Sequence, residues 1–101
     1  MFVFLGWGCY NYIWGGKMTI DNIRERIDII DKQMALLFSQ RMELITLIKE
    51  EKKKNNIATY NEAREKEIKS KNLDYVNKEF ANEYQKFIES ILKISKDYQV
   101  K

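Results

Sequence analysis

The chain of 101 residues has no histidine, no proline, one cysteine and four glycines. Each shortage excludes something. Without histidine there can be no Ser-His or Cys-His nucleophile, and the commonest general base and commonest metal ligand are missing. No metal and no cofactor is expected, and an enzyme built from this chain would work by charge and shape rather than by proton transfer. A lone cysteine, Cys9, excludes an internal disulfide and fits a reducing, cytoplasmic compartment. All four glycines precede residue 17, so residues 18–101 contain neither of the strong helix breakers. With 33% charged residues, that stretch reads as helix throughout. The net charge of +3 is too slight to argue for a nucleic-acid partner. The length suits one small domain whose core would be marginal in a monomer.

Residues 1–17, MFVFLGWGCYNYIWGGK, differ from the rest in being aromatic, glycine-rich and uncharged until Lys17. They lack the basic start and small-residue cleavage site of a secretory signal. They are also shorter than the ~20 apolar residues needed to cross a bilayer. Gly15-Gly16-Lys17-Met18 can be encoded by a purine-rich ribosome-binding site followed by a start codon. Residues 1–17 are therefore read as a translated leader, with the functional domain at 18–101. The competing reading rests Phe2, Phe4, Trp7 and Trp14 on a membrane surface. No membrane partner is expected.

The apolar spacing predicts a helix from Ile20 to Asn55, capped by Thr19 or Asp21. That length is unusual for a globular helix and suggests pairing with a partner helix. Asn55-Asn56 breaks it. A second helix, Glu62 to Lys71, follows the cap Asn61. A third, capped by Asn77, runs to Gln99 with Phe80, Tyr84, Phe87, Ile91, Ile94 and Tyr98 on one stripe. The expected fold class is all-α: three helices per subunit, one very long, in an intertwined homodimeric bundle.

Along the first helix Ile20, Ile23, Ile27, Ile30, Met34, Leu37, Leu44 and Ile48 mark a seam, and Arg41 interrupts it. A guanidinium keeps its charge, and burying it unpaired costs several kcal/mol. Lys52, eleven residues on, returns to within roughly 20° of the same face. No acidic residue on the seam matches these two cations, which suggests a pocket for a small anion. Periodicity alone leaves open that Arg41 snorkels, or sets register in a plain coiled coil. Arg24 and Arg41 are roughly 25 Å apart on one straight helix and rotated by about 100°. They could share a small anion only if two copies of the helix packed antiparallel. Ser95 and Gln99, at i and i+4, share a face.

Five segments in order give a more specific signal. They are Ile23-Arg24-Glu25-Arg26-Ile27-Asp28, Phe38-Ser39-Gln40-Arg41-Met42-Glu43-Leu44, Lys49 to Lys52, Asn61-Glu62-Ala63-Arg64-Glu65, and Ser95-Lys96-Asp97-Tyr98-Gln99. Together they resemble the all-helical class of chorismate mutase over residues 20–99. The resemblance implies an intertwined homodimer that rearranges chorismate, a dianion, to prephenate in aromatic amino-acid biosynthesis. It implies that Arg41 and the Arg24 donated by the other copy grip the two carboxylates. Lys52 and Gln99 would donate to the ether oxygen, Glu65 with Asn61 would meet the ring hydroxyl, and Ser95 would assist one carboxylate. Arg64 would orient Glu65. The family usually has Asp where this chain has Asn61.

Two other functions share the fold, isochorismate-pyruvate lyase and aminodeoxychorismate mutase, and the sequence separates them poorly. A different class is a non-enzymatic helical dimer that binds a partner helix or nucleic acid. No basic stripe alternating with aromatics favours it.

Overall fold

The computed structural model describes residues 19–101. The leader reading of residues 1–17, with its start at Met18, lies outside the described residues. Every regular element among the described residues is helical. α1 spans Ile20–Lys54, α2 Glu62–Asn72 and α3 Ala81–Gln99, with single 3-10 turns at Leu73–Tyr75 and Lys78–Phe80 between α2 and α3.

Local chemistry sets each helix end. Thr19 Oγ1 accepts from the Asn22 backbone N–H at 3.2 Å, and Asn22 Oδ1 accepts from the Thr19 N–H at 3.2 Å. This reciprocal pair is a capping box with asparagine in the third position. Of the two caps the sequence allows, Thr19 is the one used. α1 ends at Lys54 because Asn56 turns left-handed, at φ 57°. The Ile57 N–H then reaches the Lys52 carbonyl at 2.8 Å and the Asn56 N–H reaches that of Lys53 at 3.4 Å. That pattern is a Schellman stop, and asparagine tolerates its φ better than most side chains. Asn61 caps α2 by accepting from the Arg64 N–H at 3.1 Å. Asn77 caps a 3-10 turn rather than α3 itself, accepting from the Glu79 N–H at 3.1 Å.

The chain divides into two units, one ending at Ser39 and the other spanning Gln40–Lys101. Within the second, Ile45 of α1 and Ile88 and Leu92 of α3 form the buried apolar core. Lys69 of α2 meets Glu89 of α3 at 3.8 Å, a surface pair worth little. Of the stripe predicted for the third helix, Tyr84, Ile91 and Tyr98 are half-buried, but the fully buried positions lie beside it. Ile88, Leu92 and Ser95 are the residues that face inward, while Phe80, Phe87 and Ile94 stay exposed. In the first unit, Ile20, Ile23, Ile27, Ile30, Met34 and Leu37 are all exposed, from 43% at Ile23 to 64% at Ile20. Among the described residues, no helix is long and apolar enough to cross a membrane.

Candidate active site

One cavity opens in the Gln40–Lys101 unit, with a volume of about 120 Å³ and one side continuous with solvent. All three helices contribute to it. From α1 come Arg41, Ile45, Ile48 and Lys52, which follow the 3–4 spacing of one helix face. The Thr59–Asn61 connection and the first turn of α2, Arg64 and Glu65, form a second wall. α3 closes the third with Leu92, Ser95, Lys96 and Gln99.

Arg41 is half-buried and its Nη1 donates to Ser95 Oγ. Ser95 is only 4% exposed, and its hydroxyl donates to the Ile91 carbonyl at 2.9 Å. The single hydroxyl proton is thereby committed to its own helix, and the oxygen is left to accept from Arg41. Burial first, then the positive charge of Arg64, holds the guanidinium below its ordinary pKa, with Tyr84 acting in the opposite direction. Arg41 remains charged, since arginine starts from so high a value.

Lys52 is half-buried whereas its neighbours Lys53 and Lys54 are exposed. Its Nζ donates to the Thr59 carbonyl at 2.7 Å and to Gln99 Oε1 at 3.0 Å. An ammonium has three protons, so one remains for the cavity. The bond to Gln99 also fixes that amide: its oxygen faces Lys52, leaving its NH2 group as a donor.

The Asn61 side-chain oxygen is occupied by the α2 cap, so its NH2 is what it can offer at the rim. The half-buried Glu65 carboxylate makes no hydrogen bond or ion pair with the other described residues. Arg64 does not orient Glu65, as the resemblance implies it should. Its Nη1 meets Glu67 Oε1 at 2.8 Å, one helical turn along. That bond holds the Glu67 carboxyl below its usual range. Four cations thus surround the cavity, Arg41, Lys52, Arg64 and Lys96, against the single carboxylate of Glu65. The excess of positive charge favours an anionic occupant.

The structure therefore brings together seven of the eight residues singled out from sequence: Arg41, Lys52, Asn61, Arg64, Glu65, Ser95 and Gln99. Arg24 is exposed, lies in the unit ending at Ser39, and does not line the cavity. Sequence reasoning missed the Thr59 carbonyl and Lys96. A backbone acceptor leaves no side-chain signature. Lys96 could have been found, since it precedes Gln99 by three residues and shares its face.

The family described as chorismate mutase type II has a model that matches residues 23–100. No curated protein and no solved structure matches the chain. The match covers most of the chain, and the protein belongs to that family, which carries an isomerase activity of the chorismate mutase type.

Proposed function

We propose that this member of the family converts chorismate to prephenate, feeding phenylalanine and tyrosine synthesis, as a homodimer with two shared pockets. The observation that carries the reading is the cavity's charge pattern: four cations and one carboxylate around a site with an oriented amide donor. The reaction breaks one C–O bond and makes one C–C bond within a single molecule, so it needs no base. Its demands are a compact conformer and stabilisation of charge growing on the ether oxygen.

Arg41 grips one carboxylate through its guanidinium, whose fork suits that partner in shape and charge. Ser95 acts chiefly by holding that guanidinium, since its own proton is given to Ile91. Lys52 and the Gln99 NH2 donate to the ether oxygen. Glu65 accepts from the ring hydroxyl, and the Asn61 amide donates to the same group. Arg64 adds positive potential beside Arg41.

Arg24 of a second copy grips the second carboxylate. Two observations support the dimer. The α1 residues Ile20 to Leu37 leave an apolar stripe exposed, and Phe80 before α3 and Phe87 and Ile94 on it are exposed as well. Among the described residues the buried apolar core is only Ile45, Ile88 and Leu92, little for a domain of this size, and a second copy packed on the exposed stripes would enlarge it.

The test is turnover of chorismate, followed by its loss of absorbance, beside isochorismate and the amino-substituted analogue. Preferential conversion of chorismate to prephenate is expected. Release of pyruvate from isochorismate, with no prephenate from chorismate, would assign the lyase reaction instead.

A further inference from the structure

The site assigned above leaves one of its cations unused. Lys96 lines the cavity, and its Nζ lies 4.9 Å from the centroid of the Tyr60 ring, within the range of a cation–π contact. Tyr60 is in the connection between α1 and α2 and Lys96 is on α3. Thr59, the residue before Tyr60, places its carbonyl on Lys52 Nζ, and the same Nζ reaches Gln99 on α3. The contacts form a closed circuit. Lys52 touches Thr59, the chain passes to Tyr60, the ring meets Lys96, and one turn of α3 leads to Gln99 and back to Lys52.

We infer that Tyr60 and Lys96 are positioning residues for Lys52: their contact holds the Thr59 carbonyl in place and so fixes where the ammonium aims its remaining proton. Three features favour this. The connection follows the left-handed turn at Asn56, and none of residues 55–60 belongs to a helix. Its grip on α3 therefore depends on side-chain contacts. Tyr60 is exposed and has no hydrogen bond from its phenol to the described residues, so the ring face is what it contributes. Its phenol pKa is raised, by desolvation and then by Glu62 and Glu65, so the ring stays neutral. The Thr59 contact is made by backbone, so it cannot be removed by substitution. Tyr60 and Lys96 are where the circuit can be opened.

The inference rests on the proposed mutase reading, and the experiment keeps the two separable. In the full chain, Tyr60→Ala and Lys96→Ala should each lower kcat/KM for chorismate by about two- to fivefold, the effect of an exposed cation–π contact. The double variant should lose no more than either single one. Tyr60→Phe keeps the ring and Lys96→Arg keeps the charge, so both should retain activity. In a Lys52→Ala background, Tyr60→Ala should cost nothing further, because the group it positions is gone. A full additional loss in that background would show a general structural role and overturn the inference, as would a Tyr60→Phe defect equal to that of Tyr60→Ala. A proton NMR readout is independent of turnover. The Lys96 methylene resonances should be shifted upfield by the ring, and Tyr60→Ala should abolish that shift and move the Lys52 side-chain resonances. Unmoved Lys52 resonances overturn the inference. A wild-type chain that leaves chorismate unchanged but shows both shifts sinks the mutase reading alone.

Discussion

Residues 20–39 and 40–54 belong to one helix and carry the same apolar rhythm, yet the two stretches end differently. In the second, Leu44 and Ile48 of that rhythm are exposed, but Ile45 beside them is buried within its own chain, and Arg41 and Lys52 find partners on α3 and in the connection to α2. In the first, all six apolar stripe residues are exposed, and so is Arg24. The difference teaches what a helical stripe means. Periodicity says that a face will be covered, and nothing about whether the cover comes from the same chain. Arg24 and Arg41 repeat the lesson in polar form. One is seated by Ser95, and the other is exposed in the stretch that the proposed second copy would cover.

The largest expected effect comes from spoiling the exposed stretch. Ile27→Glu with Ile30→Glu would place uncompensated carboxylates where the second copy should pack, at a cost of several kcal/mol. Dimers should vanish in analytical ultracentrifugation, and turnover should fall by about 10³-fold or more. Lys32→Glu, off the stripe, should leave both within experimental error. Equal behaviour of the two variants would mean that the stripe is covered by nothing.

Next in size is Lys52 in the other stretch. Lys52→Ala should lower kcat by about 10²–10³, the usual cost of one donor to a developing oxyanion. Lys53→Ala and Lys54→Ala, on exposed neighbours, should change little. Gln99→Glu should cost a similar factor near neutral pH, because an ionised carboxylate beside Lys52 only accepts. The carboxyl can donate only when protonated, so activity of this variant should rise as pH falls. A flat pH profile for it would remove Gln99 from the donor pair.

Mixing sharpens the comparison further. Arg24→Ala and Arg41→Ala homodimers should each be nearly inactive, since every pocket lacks one arginine. When the two are unfolded together in equal amounts and refolded, about half the dimers should be mixed. Each mixed dimer has one complete pocket and one lacking both arginines. Activity should return to about a quarter of wild type. Recovery of nothing would show that both arginines act within one chain.

Much of this was legible in the sequence because the signals were local. The asparagines that bound α1 and α2, Asn55-Asn56 and Asn61, act on backbone groups a few residues away, whereas Asn77, expected to cap α3, caps the 3-10 turn before it. The phase of Arg41 with Lys52 is likewise a property of one helix. The inward face of α3 was not legible. That helix has two apolar strips, one through Ile88 and Leu92 and one through Tyr84, Phe87, Ile91 and Ile94, and periodicity cannot rank them. The structure buries the first within the chain and leaves Phe87 and Ile94 of the second exposed. Arg64 was misjudged for a similar reason. Glu65 and Glu67 are both within reach of its long side chain, and the i,i+3 geometry favours Glu67.

The smallest expected effect tests whether local signals are indifferent to the second copy. Asn56 sits at φ 57° in the Schellman stop of α1. Asn56→Ala keeps the crowded Cβ but loses the short polar side chain that lets asparagine tolerate left-handed backbone, costing about 1 kcal/mol. For a domain of this size that is a Tm lowered by about 4–8 °C. Asn56→Gly removes the crowding and should hold or slightly raise the Tm. The wild-type Tm should itself climb with protein concentration, because assembly is linked to folding. The drop caused by Asn56→Ala should nevertheless be the same at each concentration, since the turn is closed by bonds within one chain. A drop that shrinks as the protein is concentrated would mean that the turn is shaped by the partner, and that the end of α1 belongs with its first half rather than its second.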